Sequence, residues 1–202
     1  MEMRFYVDDG DVLDLRVAQI LDRWQHKGIF YISPMNPKIN PMSPSDIRTL
    51  SERHEIGGHT LTHPTLSDKP KFLQIREIDD GKLHLEEIIE KPITKFAYPK
   101  GWYNQEVIDS VNECGFLEAR TMHQGATTLS IIEGNFEIPV SVHFYPGKFE
   151  KWREQYELAK RADTEGRDGY FGVTCHGWEL EKFHLWGEYE NMLKQIYEDQ
   201  VA

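Results

Sequence analysis

Basic charge is outnumbered in this sequence. It sets 23 Lys and Arg against 34 Asp and Glu, a formal charge of −11. The positive footprint that holds phosphate backbones or anionic headgroups is therefore missing, and nucleic-acid and membrane-surface partners are disfavoured. Long apolar runs are absent as well, since none approaches the ~20 residues that span a bilayer. The apolar "MRFYV" starts at Met3, which leaves no room for a charged and apolar leader, so the expectation is a soluble, cytoplasmic chain. Cysteine occurs only as Cys114 and Cys175, in neither a C-x-x-C pair nor a larger framework, and two buried free thiols are expected rather than a disulfide. No internal repeat, low-complexity tract or dividing linker is present, so residues 1–202 read as a single domain. With 39% hydrophobic and 12% aromatic residues, a chain of this size builds a substantial core, burying roughly 70% of its unfolded surface.

What the chain does have is alternation. "MRFYV" reads as a strand, and the apolar positions from Val12 to Trp24 recur at helical spacing, with Gly28 as a stop. "IFYIS" is a second strand, and Ser45 to Arg53 a helix capped near Ser43 or Ser45. "HEIGGHT", "TKFAYP", "FLEART", "NFEIPVSVHF" and "YFGVTCH" supply further strands. Helices are expected over Pro70 to Glu90 with a possible break at Asp79 to Gly81, over Asn104 to Cys114, over Phe149 to Ala162 and over Trp186 to Gln200. About seven strand-helix units imply an α/β fold, either a barrel or a doubly wound sheet, and periodicity does not choose between them.

The polar clusters share a position: "DDG", "HTLTH", "YPKGW" and "CHGW" each follow a strand. In parallel α/β folds the carboxyl ends of the strands converge on the face that carries the active site, so these clusters are expected in one cleft. His59 and His63 are four apart, and two imidazoles with a carboxylate from "DDG" make a three-ligand metal site with an open position for water and a substrate oxygen. Successive side chains of an extended chain point opposite ways. One of Asp8 and Asp9 can therefore ligate while the other faces the open position, and a cation relieves their repulsion. The plainer reading of Asp8-Asp9-Gly10 is a strand-to-helix turn with an aspartate cap.

"VDDG", "HTLTH", "FAYPKG" and "VTCHG", in this order over most of the chain, resemble the motifs of the polysaccharide deacetylase family, also called the NodB-homology or carbohydrate esterase family four domain. The resemblance is to a branch with "FAYP" in place of an arginine motif. It implies a distorted (β/α)7 barrel, one divalent metal (zinc first, with cobalt, nickel, iron or manganese as alternatives) and hydrolysis of N-acetyl or O-acetyl groups on sugars or related small molecules. Carried over by motif, Asp8 is the base, Asp9, His59 and His63 are the metal ligands, the backbone N–H of Lys100 helps hold the oxyanion, and His176 is the acid. Tyr98, Pro99, Trp102, Tyr103 and Trp178 become candidates to contact a sugar ring.

The sequence departs from the family at Ala97, which stands where an arginine is usual, and in having no D-S-x-D-W segment to orient His176. Arg120, in "EART", is a candidate replacement cation for Asp8. His54, His84, His123, His143 and His184 read as surface or partly packed residues without a role. Two other readings stay open: an amidohydrolase of the same fold acting on formamides or cyclic amides and imides, and a catalytically impaired, metal-stabilised carbohydrate-binding relative. Oligomeric state is not legible.

Overall fold

The computed structural model describes residues 1–130 and 132–202. Along the chain run β1 (Glu2–Asp9), α1 (Asp14–Arg23), β2 (Gly28–Ile32), α2 (Pro44–Leu50), β3 (Glu55–Gly58), α3 (Lys71–Ile89), β4 (Lys95–Ala97), α4 (Gln105–Glu113), β5 (Glu118–Arg120), β6 (Val142–His143), α5 (Trp152–Thr164), β7 (Tyr170–Cys175), α6 (Gly177–Lys182) and α7 (Trp186–Val201). The strands form one sheet in the order β5-β4-β3-β2-β1-β7-β6, with every pair parallel.

The sheet is strongly curled. In a flat sheet β1 and β5, four positions apart, would be separated by about 19 Å. Instead Arg4 meets Glu118 at 2.5 Å and Asp8 meets Arg120 at 2.5 Å, so side chains of these two strands touch across the interior. The segment before β6 narrows the remaining gap: Ile138 N–H donates to Ala119 of β5, and Ser141 N–H donates to Gly172 of β7. This is the distorted (β/α)7 barrel.

Strand alternation sorts the residues. Phe5 and Val7 of β1 face the surrounding helices in the main core, whereas Tyr6 joins Ile29, Tyr31, Ala97 and Val140 inside the barrel. Helix starts follow local rules. Ser43 and Asp46 make a reciprocal capping box at α2, and the Asn104 side chain caps α4.

Several expectations need correction. Gly28 opens β2 and does not stop α1, which ends at Arg23. α3 runs unbroken through Asp79–Gly81; there a Cβ on residue 81 would lie 2.6 Å from the Thr60 carbonyl carbon, so Gly81 lets the helix press against the loop that follows β3. "NFEIPVSVHF" keeps only Val142–His143 as strand plus one bridge at Ile138, because Pro139 has no N–H to offer a ladder. His54 and His143 are buried, not superficial. Cys175 is a buried free thiol, and Cys114 is free but only half-buried. Among the described residues no helix is long and apolar enough to cross a membrane.

Candidate active site at the carboxyl ends of the strands

At the carboxyl end of the barrel a cavity of about 270 Å³ is lined by Asp8, Asp9, His59, His63, Tyr98, Lys100, Gly101, Met122, His143, His176, Trp178 and Glu179. All four polar clusters singled out in the sequence contribute to it.

The backbone here is bent out of regular strand geometry. Asp9, Thr60, His63 and Lys100 all have positive φ, at 85°, 66°, 62° and 60°, a region that costs most residues of order 1–3 kcal/mol. By alternation Asp9 would follow Phe5 and Val7 outward, and its positive φ brings the carboxylate to the histidines instead. Gly10 follows with φ 85°, and a Cβ there would lie 2.7 Å from Ile32 Cγ2. Asp14, fully buried, ties this turn to the one after β7, accepting from Gly10 N–H at 3.1 Å and Gly177 N–H at 2.8 Å. The loop carrying His59 and His63 is pinned by α3: Leu61 N–H donates to the Glu77 carbonyl, and Thr62 donates through both N–H and hydroxyl to the Glu77 carboxylate.

Asp9, His59 and His63 present ligand atoms within 4.8 Å of one another. His63 Nε2 lies 3.2 Å and His59 Nε2 3.6 Å from Asp9 Oδ1, and the two Nε2 atoms are 3.1 Å apart. The His59 Nδ1–H donates to the Ala97 carbonyl at 2.7 Å, which leaves Nε2 as a bare lone pair, the usual arrangement behind a metal-ligating imidazole. Among the described residues Asp9 Oδ1 is buried without a hydrogen-bond partner. Burial works against the Asp9 charge, yet His59, His176 and His63 hold its carboxyl well below the usual range. Burial, helped by His59, pushes His63 down to about 4. An imidazole held neutral at His63, a His59 ring whose Nδ1–H is already engaged and an ionised carboxylate at Asp9 suit a divalent cation, so these residues fit one.

Asp8 is 2% exposed and Arg120 1%. Asp8 Oδ2 accepts from Arg120 Nη2 at 2.5 Å and from Thr174 Oγ1 at 3.1 Å, and Oδ1 has no partner. Arg120 is paired in register with Ala97 on the adjacent strand, so it stands beside the position where the family places arginine. Its guanidinium sits 5.5 Å from the Tyr6 ring centre and 5.3 Å from that of Tyr31, which favours the cation inside a closed interior.

His176, the N-cap residue of α6, places Nε2 3.8 Å from Asp8 Oδ2 and 4.0 Å from Asp9 Oδ2. Burial opposes its charge, but the hydrogen bond to Glu179 and the nearby Asp9 and Asp8 override it and push His176 up to about 9. The sequence reading missed Glu179 and His143. Glu179 was detectable at i+3 from His176, on the same face of a helical turn. His143 ends β6, and the strand-end rule applied to the other clusters covers it too.

The aromatic candidates divide. Tyr98 lines the cavity and donates its hydroxyl to the Phe136 carbonyl at 3.0 Å. Trp178 lines it and donates its indole N–H to Asp9 Oδ2 at 2.9 Å. Pro99 is buried and does not line it; Tyr103 stacks on Tyr98 outside it, and Trp102 is 64% exposed. Lys100 lines the cavity, with Nζ held by the Thr65 hydroxyl at 2.7 Å.

A sequence model of the polysaccharide deacetylase family matches residues 4–119. A peptidoglycan-N-acetylglucosamine deacetylase from Bacillus cereus is 28% identical over 101 residues, covering 50% of this chain and 46% of that protein. The chain thus spans less than half the length of this curated relative. Among solved structures, a Streptomyces lividans family 4 carbohydrate esterase in complex with acetate superposes with TM-score 0.62 at 13% identity, over 97% of this chain and 85% of that one. A Streptococcus pyogenes deacetylase in complex with acetate gives 0.61 at 17%, over 68% and 63%. A Bacillus anthracis pseudoenzyme of the same esterase family gives 0.63 at 15%, over 98% and 60%. At such identities these structures speak for the fold alone.

Proposed function

This chain belongs to the polysaccharide deacetylase family, and from that membership we propose that it is a metal-dependent hydrolase removing an acetyl group from an N-acetylated or O-acetylated sugar or a related small molecule. One observation carries the reading: two adjacent buried carboxylates, Asp8 and Asp9, each keep an oxygen without a partner beside two imidazoles in one cavity. Unpaired buried acceptors are costly; a cation held by Asp9 and a water donating to Asp8 would satisfy them.

Asp9, His59 and His63 would hold the ion. When bound there, a divalent cation supplies Lewis acidity and brings the pKa of water from 15.7 toward ~7; the donor set suits zinc, with cobalt, nickel, iron or manganese as alternatives. Asp8 takes the proton of the attacking water. Arg120 and Thr174 hold Asp8 Oδ2, so the unpartnered Oδ1 is the oxygen that accepts it. The Lys100 N–H donates to the oxyanion, a contact worth ~3 kcal/mol when aligned. His176, charged at neutral pH, gives a proton to the leaving amine or alcohol, a contribution of ~10²–10⁴-fold. Trp178 orients Asp9 through its indole N–H and offers its ring to the substrate.

The test is a panel of acetylated sugars and small amides assayed with zinc, cobalt or nickel supplied, with acetate, formate and ring opening read separately. The reading expects acetate release that a chelator abolishes, and loss of both metal and turnover in His59→Ala. Formate release or ring opening without acetate would assign a different amide substrate. Sugar binding with no turnover under any metal would make the chain a binding relative.

A further inference from the structure

We propose that His143 is a positioning residue: acting through Glu179, it fixes the ring orientation of His176 and the proton on its Nδ1. This rests on the acid role given to His176 above, but the geometry that carries it is separate.

Glu179 Oε2 lies 2.7 Å from His176 Nδ1 and 2.9 Å from His143 Nε2. A carboxylate oxygen only accepts, so both of these ring nitrogens carry protons. His176 thereby keeps a proton on Nδ1 facing Glu179, and its other nitrogen, Nε2, which gives the acid proton, is turned toward Asp8 and Asp9. One oxygen thus reads two histidines at once, and moving either donor frees the carboxylate to rotate.

His143 is placed to serve as the fixed end of this chain. It belongs to β6, in register with Thr174 of β7, so its root is part of the sheet. Glu179, by contrast, stands in the first turn of the six-residue α6, which has no side-chain N-cap hydrogen bond. The anchor runs from rigid strand to short helix, the order in which support is useful for a catalytic group. The other nitrogen of His143, Nδ1, is buried without a hydrogen-bond partner among the described residues, and the residue is 7% exposed. An apolar side chain would fill that space without an orphaned polar atom, so packing alone does not account for an imidazole there. The Nε2–H bond to Glu179 does. The sequence has no D-S-x-D-W segment, and this pair fills the vacancy from the end of β6 and the first turn of α6.

The experiment uses the zinc-loaded protein labelled with ¹⁵N-histidine, together with His143→Leu, His143→Gln and Glu179→Gln variants. In the unsubstituted protein the His176 Nδ1–H and His143 Nε2–H give protected ring N–H signals. His143→Leu shifts or broadens the His176 signal and lowers kcat about 10- to 100-fold, with KM and zinc content unchanged. His143→Gln, which keeps an amide N–H donor, recovers most of the loss and controls for misfolding. In a His176→Ala background His143→Leu has no further effect. An unchanged His176 signal in His143→Leu overturns the proposal, as does an equal loss of kcat in the His176→Ala background. If His176→Ala by itself keeps full turnover, the acid role fails, and the ring signals decide the positioning alone.

Discussion

The two ends of the barrel interior are built from the same two strands with the charges exchanged. At the amino end β1 supplies Arg4 and β5 supplies Glu118; at the carboxyl end β1 supplies Asp8 and β5 supplies Arg120, each pair 2.5 Å apart. Tyr6 lies between them on the same face of β1. What differs is how completely each pair is satisfied. Arg4 also reaches Glu2 at 3.0 Å, and Glu118 has Lys95 at 3.6 Å. Asp8 Oδ1 and Arg120 Nε are left without partners, and Asp9 Oδ1 beside them is as well. The Arg4–Glu118 pair has its valences closed; the Asp8–Arg120 pair, next to the positive φ of Asp9, leaves them open at the end where the proposed chemistry sits.

Mutations that treat the ends alike should give unlike results. The largest difference is expected between the two buried acids. Asp8→Asn keeps the fold and lowers kcat by ~10²–10⁴-fold, whereas Glu118→Gln leaves kcat within experimental error; steady-state kinetics with matched melting curves checks both. Next come the two arginines. Removing one partner of a buried pair costs about 3 kcal/mol, so Arg4→Met and Arg120→Met both lower the unfolding free energy in urea, but only Arg120→Met lowers turnover and alters its pH profile. Equal turnover in the two variants would remove Arg120 from the mechanism. Gly81→Ala pushes a Cβ into the backbone at Thr60 and Leu61; a cost of ~1–3 kcal/mol and weaker zinc binding by titration are expected together, because the strain falls on the loop that carries His59 and His63.

The smallest effect is in the pH dependence of stability. Burial pushes His26 and His54, at the amino end, below 6.5. The unfolded chain then binds more protons than the folded one, and stability declines as pH falls below 6.5. Burial works against the charge of Glu179, at the carboxyl end, but hydrogen bonds from His143 and His176 bring it from 4.5 to about 2. Its contribution is present above 4.5 and disappears as pH falls toward 2. Urea unfolding from pH 8 to 3 should show the first decline in both wild type and Glu179→Gln, and the part below 4.5 diminished in the variant.

Much of the carboxyl end is readable without coordinates, because each motif there places a chemically distinctive side chain just past a strand. Arg120 is readable as a partner for Asp8 from Ala97, which stands where the family usually has an arginine and so leaves the carboxylate in need of another cation. Contacts set by tertiary approach are not readable. Gly81 looks like a helix breaker until the backbone it admits is visible, and nothing in the sequence sets His143 against Glu179, 36 residues away. Trp102 and Tyr103 follow a motif directly, yet the positive φ of Lys100 and Gly101 turns the chain and leaves them outside the cavity. Adjacency in sequence places a residue near a site only while the backbone runs straight.

The central claim is that Asp9, His59 and His63 bind one divalent ion while Asp8 stays free of it. Zinc titration of metal-free Asp8→Asn and Asp9→Asn by calorimetry tests it most directly. The account predicts one site of wild-type affinity in Asp8→Asn and a loss of binding of tenfold or more in Asp9→Asn; retained binding in Asp9→Asn with loss in Asp8→Asn would contradict it.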